Sequence, residues 1–93
     1  MNLRQSAKDE ACTVMLPGCL YGGETVVLAH IRRPWNAGTG MKPLDLHGCF
    51  ACAACHDQMD GRAKHGLSRA EMDSYLLDAH LRTVSRWVER GLL

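Results

Sequence analysis

Two separated pairs of cysteines, Cys12 with Cys19 and Cys52 with Cys55, constrain this 93-residue chain more than any other feature. A chain of this length buries only about 60–65% of its unfolded surface, so its apolar core is thin. Phe, Tyr and Trp together number five, so large core anchors are few. A staple is therefore expected, either disulfides or a metal. The cysteine count of five is odd, which argues against a closed disulfide framework. Thiolates in two pairs suit a tetrahedral, closed zinc site. Structural zinc supplies roughly 10–16 kcal/mol of apparent folding energy in small peptides, enough to decide whether such a chain folds.

The densest chemistry lies in Cys49-Phe-Ala-Cys52-Ala-Ala-Cys55-His56-Asp57-Gln58-Met59-Asp60. Cys49 competes with Cys55 as the partner of Cys52. Cys52 and Cys55 are preferred because they fall at an expected helix start, where a zinc knuckle commonly ends. Cys49 then reads as a small buried apolar residue. Cys52-Ala-Ala-Cys55-His56 also matches the c-type haem attachment pattern. That chemistry normally follows export, and Met1–Glu10 carries no apolar stretch of a signal peptide. Cys49-x-x-Cys52-x-x-Cys55 partly matches an iron–sulfur run, without its fourth cysteine and proline. No segment is long and apolar enough to span a membrane. A cytoplasmic, reducing location is expected, where clustered cysteines bind metal more often than they pair.

The chain reads as one α+β domain over residues 1–93. Residues 3–10 allow a short helix. Leu16-Pro17-Gly18 predicts a tight turn that brings Cys12 and Cys19 together. Thr25–Ile31 is rich in β-branched residues and predicts a buried strand ending at Arg33-Pro34. Residues 34–44 form a long loop, and long loops in compact domains are often functional. Asp45–Phe50 predicts a second strand, and a helix should run from about Ala53 to Gly61. Ser68-Arg69-Ala70-Glu71 is a capping box that opens a long helix, which Gly91 ends. Met72, Tyr75, Leu76, Ala79, Val84, Trp87 and Val88 form its expected core stripe.

Three acid–base groups lie outside the thiolate set. His56 and Asp60 are four apart and share one helical face, a suitable geometry for two ligands of one cation. His30 closes the apolar strand and is placed to act as a general base on water. Net charge is near +1 and decides nothing alone. Its distribution is more telling. Arg32, Arg33 and Lys42 flank His30, and Arg62 and Lys64 follow the cysteine cluster, which suggests a phosphate-facing surface.

A strand histidine, an extended loop, a second strand and Cys-x-x-Cys-His on a helix resemble the HNH, or ββα-metal, endonucleases. More narrowly, the chain resembles the small prophage-encoded YbcO-like nucleases. The likeness rests on Cys12-x6-Cys19, Leu28-Ala29-His30-Ile31, Gly38-Thr39-Gly40-Met41-Lys42-Pro43-Leu44-Asp45-Leu46 and Cys52-x-x-Cys55-His56-Asp57. It extends, more distantly, to a phage recombination-enhancement nuclease.

The resemblance implies a zinc-stabilised ββα-metal domain with a long C-terminal helix, acting as a phage DNA endonuclease. It implies that His30 activates water, that Asp45 orients it, and that His56 and Asp60 hold a catalytic Mg²⁺ or Mn²⁺. The cation would stabilise charge on the scissile phosphate and leaving oxygen. DNA is the implied partner, contacted by Arg32, Arg33, Lys42 and Arg62, with phage recombination or replication proteins as further partners. The family often carries Asp or His directly before the base; here that residue is Ala29. A further ligand would then come from His47, His65 or the phosphate, or His30 would itself ligate. A zinc-containing nucleic-acid-binding or protein-interaction module without catalysis is the alternative reading.

Overall fold

The computed structural model describes residues 2–93. Two short strands, β1 (Val27–His30) and β2 (Gly48–Ala51), pair antiparallel. A short helix α1 (Ala53–Met59) follows β2 directly, and a long helix α2 (Arg69–Glu89) covers the sheet. The fold is a small α+β arrangement, as expected. No helix is long and apolar enough to cross a membrane among the described residues.

The β-branched run shortens to Val27–His30 because Gly22 and Gly23 precede it and Arg33-Pro34 follow it. Its register pairs Leu28 with Phe50, Ala29 with Cys49, and His30 with Gly48. The last pair needs a glycine. A Cβ on Gly48 would lie 2.7 Å from Leu28 Cδ1 and 3.0 Å from the Ala29 carbonyl oxygen.

The expected strand over 45–50 is only half a strand. Asp45–His47 is a 3₁₀ turn, and β2 starts at Gly48. Asp45-Leu46-His47 has no β-branched residue, and the Leu44 carbonyl accepts from the His47 amide at 2.8 Å, closing the turn. The expected helix over 3–10 also shrinks, to a 3₁₀ turn at Gln5–Ala7. It has no side-chain cap, and Asp9 reverses the chain at φ 65°. So short a helix is marginal without support.

Both helix ends were legible. Ser68 and Glu71 form the reciprocal capping box at 3.1 and 2.8 Å. Gly61 and Gly91 take positive φ, and the paired 6→1 and 5→2 bonds of a Schellman motif follow α1 and α2. Met72, Leu76, Ala79 and Trp87 are buried, with Tyr75 and Val84 partly so. Val88 is not core: it is 57% exposed. It lies one residue past Trp87, about 100° round the helix.

Thr83 takes the interior position instead, and it does so by capping β2. Its hydroxyl accepts from the Phe50 amide at 3.1 Å and lies 3.0 Å from the Thr13 hydroxyl. Thr13 in turn donates to the Phe50 carbonyl at 2.9 Å. At Phe50 the free edge of β2 is therefore satisfied by two threonines rather than a third strand. Phe50 and Trp87 meet edge to face at 6.0 Å, and the buried indole donates to Ser6 Oγ at 2.7 Å.

Candidate metal centre and arginine-lined cleft

The thiol cluster is built by two turns. Leu16-Pro17-Gly18-Cys19 is a type II turn, with Gly18 at φ 85° and the Cys19 amide bonded to the Leu16 carbonyl at 2.9 Å. The β2–α1 junction supplies Cys52 and, one turn on, Cys55. The sulfurs of Cys12, Cys19, Cys52 and Cys55 all lie within 4.8 Å of one another. Cys19 Sγ and Cys52 Sγ are 3.9 Å apart. A tetrahedron with 2.3 Å zinc–sulfur bonds has edges of roughly 3.8 Å.

Backbone amides complete the centre. Leu20 N–H donates to Cys52 Sγ at 3.3 Å and Tyr21 N–H to Cys19 Sγ at 3.2 Å. Burial raises the Cys52 thiol, but amide donation from Cys55 and Leu20 outweighs it and brings Cys52 down to about 7. Burial pushes Cys19 and Cys55 up. Four clustered soft donors, one already inclined to ionise, fit a zinc-type metal. Cys49 stands apart. It faces Ala29 across the sheet, is wholly buried, and burial pushes its thiol up to about 12.

On another side of the β2–α1 unit, two histidine–carboxylate pairs form. His30 Nε2 lies 2.9 Å from Asp45 Oδ1, and His56 Nε2 lies 3.1 Å from Asp60 Oδ2. The 3₁₀ turn at Asp45–His47 returns the chain to β1, which is how a residue fifteen positions away reaches His30. A cleft of about 370 Å³ is lined by His30 and Asp60 together with Arg32, Arg33 and Arg62. Arg62 reaches Asp57 at 3.0 Å and Asp60 at 3.2 Å, and Arg33 reaches Asp73 at 3.0 Å. The cleft thus carries an imidazole, a carboxylate and three guanidinium groups.

The sequence model of the family described as "Putative nuclease YbcO" matches residues 1–92. The chain belongs to the YbcO family. It is 40% identical over 93 residues to "Putative nuclease YbcO" of Escherichia coli (strain K12), covering 99% of this chain and 96% of that protein. The same figures hold for "Putative nuclease ybcO" of Enterobacteria phage 82. A solved structure titled "Structure of a putative bacteriophage protein from Escherichia coli str. K-12 substr. MG1655" superposes with a TM-score of 0.78 at 36% identity. That match covers 97% of this chain and 100% of the other.

In this YbcO-family chain the expected residues distribute unevenly. His30, Asp60, Arg32, Arg33 and Arg62 line one cleft, with Asp45 and His56 bonded to its two acid–base members. Lys42 is exposed and does not line the cleft. His47 does not line it either: its Nδ1 takes the Asn36 amide at 3.2 Å. His65 is exposed and accepts from its own chain at Leu67 N–H, 3.2 Å away.

Asn36 was missed. It is only 7% exposed. Its Oδ1 accepts from Arg33 N–H at 2.7 Å, and its Nδ2 donates to the Ile31 carbonyl at 3.1 Å. It thereby ties the loop after β1 to the strand end that carries His30. A lone Asn among loop residues gives little signal beyond its habit of closing local turns.

Proposed function

We propose that this protein is a metal-dependent DNA endonuclease of the HNH, ββα-metal type. The observation that carries the reading is the cleft where His30 and Asp60 sit among Arg32, Arg33 and Arg62. A phosphodiester needs a base for water on one side and positive charge around the phosphate, and both are supplied there. The YbcO relatives are named as nucleases, which supports the nuclease part of the reading.

Asp45 accepts from His30 Nε2–H, which fixes the ring and leaves Nδ1 as the basic nitrogen. His30 Nδ1 takes a proton from water as the water oxygen attacks phosphorus; the P–O ester bond opposite breaks, and the departing sugar oxygen takes a proton from solvent. Arg32, Arg33 and Arg62 hold the phosphate oxygens and stabilise the charge that builds on them. His56 and Asp60 are the groups that would hold Mg²⁺ or Mn²⁺, which supplies charge stabilisation when bound. The thiolate centre would hold zinc, closed to substrate, and keep α1 in place beneath His56.

One observation favours the second reading, a zinc-containing binding module without catalysis. Ala29 is buried against Cys49 and offers no ligand beside His30. Nicking of supercoiled plasmid with Mg²⁺, Mn²⁺ or Zn²⁺ added separates the two. Cleavage by the wild type, lost in His30→Ala, supports the nuclease. Binding without cleavage under every metal condition leaves the module.

A further inference from the structure

A second cavity, of about 290 Å³, adjoins the cleft and shares Ile31, Arg33 and Leu76 with it. Its volume lies just under the roughly 300–1,000 Å³ typical of small-ligand sites, room for a single ring system rather than a larger ligand. Trp35, His47 and His80 line it, and the proposed hydrolysis uses none of them. Trp35 is 70% exposed. A T-shaped contact with the His47 ring, centroids 5.4 Å apart, holds this indole at the cavity wall. An exposed indole kept in place by another ring is a stacking surface rather than a core residue.

The two imidazoles are polarised in opposite senses. Arg33 N–H bonds Asn36 Oδ1, which fixes the Asn36 amide so that its Nδ2 donates to His47 Nδ1. The neutral His47 ring therefore carries its proton on Nε2 and offers a donor there. His80 Nδ1 donates to the Gly48 carbonyl at 2.8 Å, so its Nε2 is an acceptor. Neither Nε2 has a protein partner among the described residues. The cavity thus combines an aromatic wall, a donor and an acceptor on the two imidazoles, the Arg33–Asp73 ion pair at 3.0 Å, and the aliphatic side chains of Leu76 and Leu77.

A nucleobase has the matching chemistry: a flat π-face and an edge of alternating donors and acceptors. Arg33 borders both cavities, so a nucleotide can place its phosphate in the cleft and its base here. A base inside a duplex is stacked and paired and cannot enter. We infer that this cavity binds one unpaired base of the DNA strand held in the cleft, stacked on Trp35 with its edge met by His47 and His80. The inference rests on the nuclease reading and adds to it a preference for DNA with an unpaired nucleotide beside the cut.

Fluorescence anisotropy without added divalent cation tests it. Three probes suffice: a paired duplex, the same duplex with a one-nucleotide thymine bulge, and the same bulge made abasic. The wild type should bind the thymine bulge on the order of 5- to 150-fold more tightly than the abasic one, the worth of one stacked base. Trp35→Leu should bring that ratio to about one, and Trp35→Phe should keep most of it. Emission from the buried Trp87 reports that each variant is folded. Equal binding of the two bulges by the wild type overturns the subsite, as does an undiminished ratio in Trp35→Leu. If the paired duplex is still bound in those cases, the nuclease reading stands alone. If no probe is bound at all, both fall.

Discussion

His30 and Asp45 are joined at 2.9 Å although the strand end and the 3₁₀ turn that carry them are separated by the whole loop between Ile31 and Leu44. The carboxylate selects one tautomer of the imidazole and fixes its plane. Removal of a positioned base typically costs roughly 10²–10⁴ in rate. Under the proposed function, His30→Ala should fall by that amount in plasmid nicking while matching the wild type in metal content and in DNA binding. Asp45→Asn should also slow nicking, because an amide nitrogen turned towards Nε2 reverses the tautomer. Wild-type rates in His30→Ala would remove the base assignment.

The thiolate centre makes a separable prediction. Cys12, Cys19, Cys52 and Cys55 should hold one zinc per chain, measured by elemental analysis. Cys55→Ser should lose the metal and, with it, the circular dichroism of the folded protein, because metal binding is folding energy in domains this small. Cys49→Ala should retain a full equivalent. A chelator strong enough to strip zinc should unfold the wild type, and a metal-free protein that stays folded would contradict the role given to this centre.

How much of this was legible is decided by range. Cys12, Cys19, Cys52 and Cys55 announced their centre because thiols at short spacing have few uses in one chain. Ser68, Glu71, Gly61 and Gly91 marked helix ends because caps are local chemistry. His30 with Asp45 came from a family resemblance, since no local rule joins residues across a loop. Thr83 was illegible for the opposite reason. It breaks the apolar stripe of α2, and its value appears only when the Phe50 backbone is seen beneath it. The same holds for Trp35, whose exposure a sequence does not reveal.

Cys49 should reveal itself in alkali. Burial first, and then the negative charges of Cys12 and Asp60, raise its thiol from an ordinary 9.0 to about 12 in the fold. The folded state therefore keeps a proton that the unfolded chain gives up. Stability from this group is complete below about pH 9 and is lost as pH rises from there towards 12. Urea denaturation of wild type should show a steeper loss between pH 8 and pH 10.5 than Cys49→Ala. Parallel slopes would mean that the thiol does not feel the core.

The arginines should separate by their partners. Arg33 and Arg62 are engaged by Asp73, Asp57 and Asp60, whereas Arg32 lines the cleft with no ion pair among the described residues. Arg32→Ala should weaken DNA binding uniformly across sequences and reduce the slope of log affinity against log salt by about one. Lys42→Ala, outside the cleft, should change it less. Salt-independent binding would remove the phosphate-facing surface.

Gly48 connects the fold to the chemistry most directly. It pairs with His30 across the sheet, and its carbonyl takes the His80 imidazole. Its own φ is −120°, so conformation does not demand glycine there; space does. A Cβ would enter within 3.0 Å of Leu28 Cγ and the Ala29 carbonyl. Leu28 can turn its far end away, but the carbonyl belongs to the strand that carries His30. Gly48→Ala should therefore cost about 1–3 kcal/mol of stability, the usual range for overpacking a close-fitted site. It should also slow nicking at temperatures where the variant is fully folded, because β1 must shift and the His30 ring with it. Chemical denaturation gives the first quantity and single-turnover nicking the second. A variant as stable and as fast as wild type would show that the sheet absorbs a methyl group without moving His30, and that the pairing of Gly48 with His30 positions nothing.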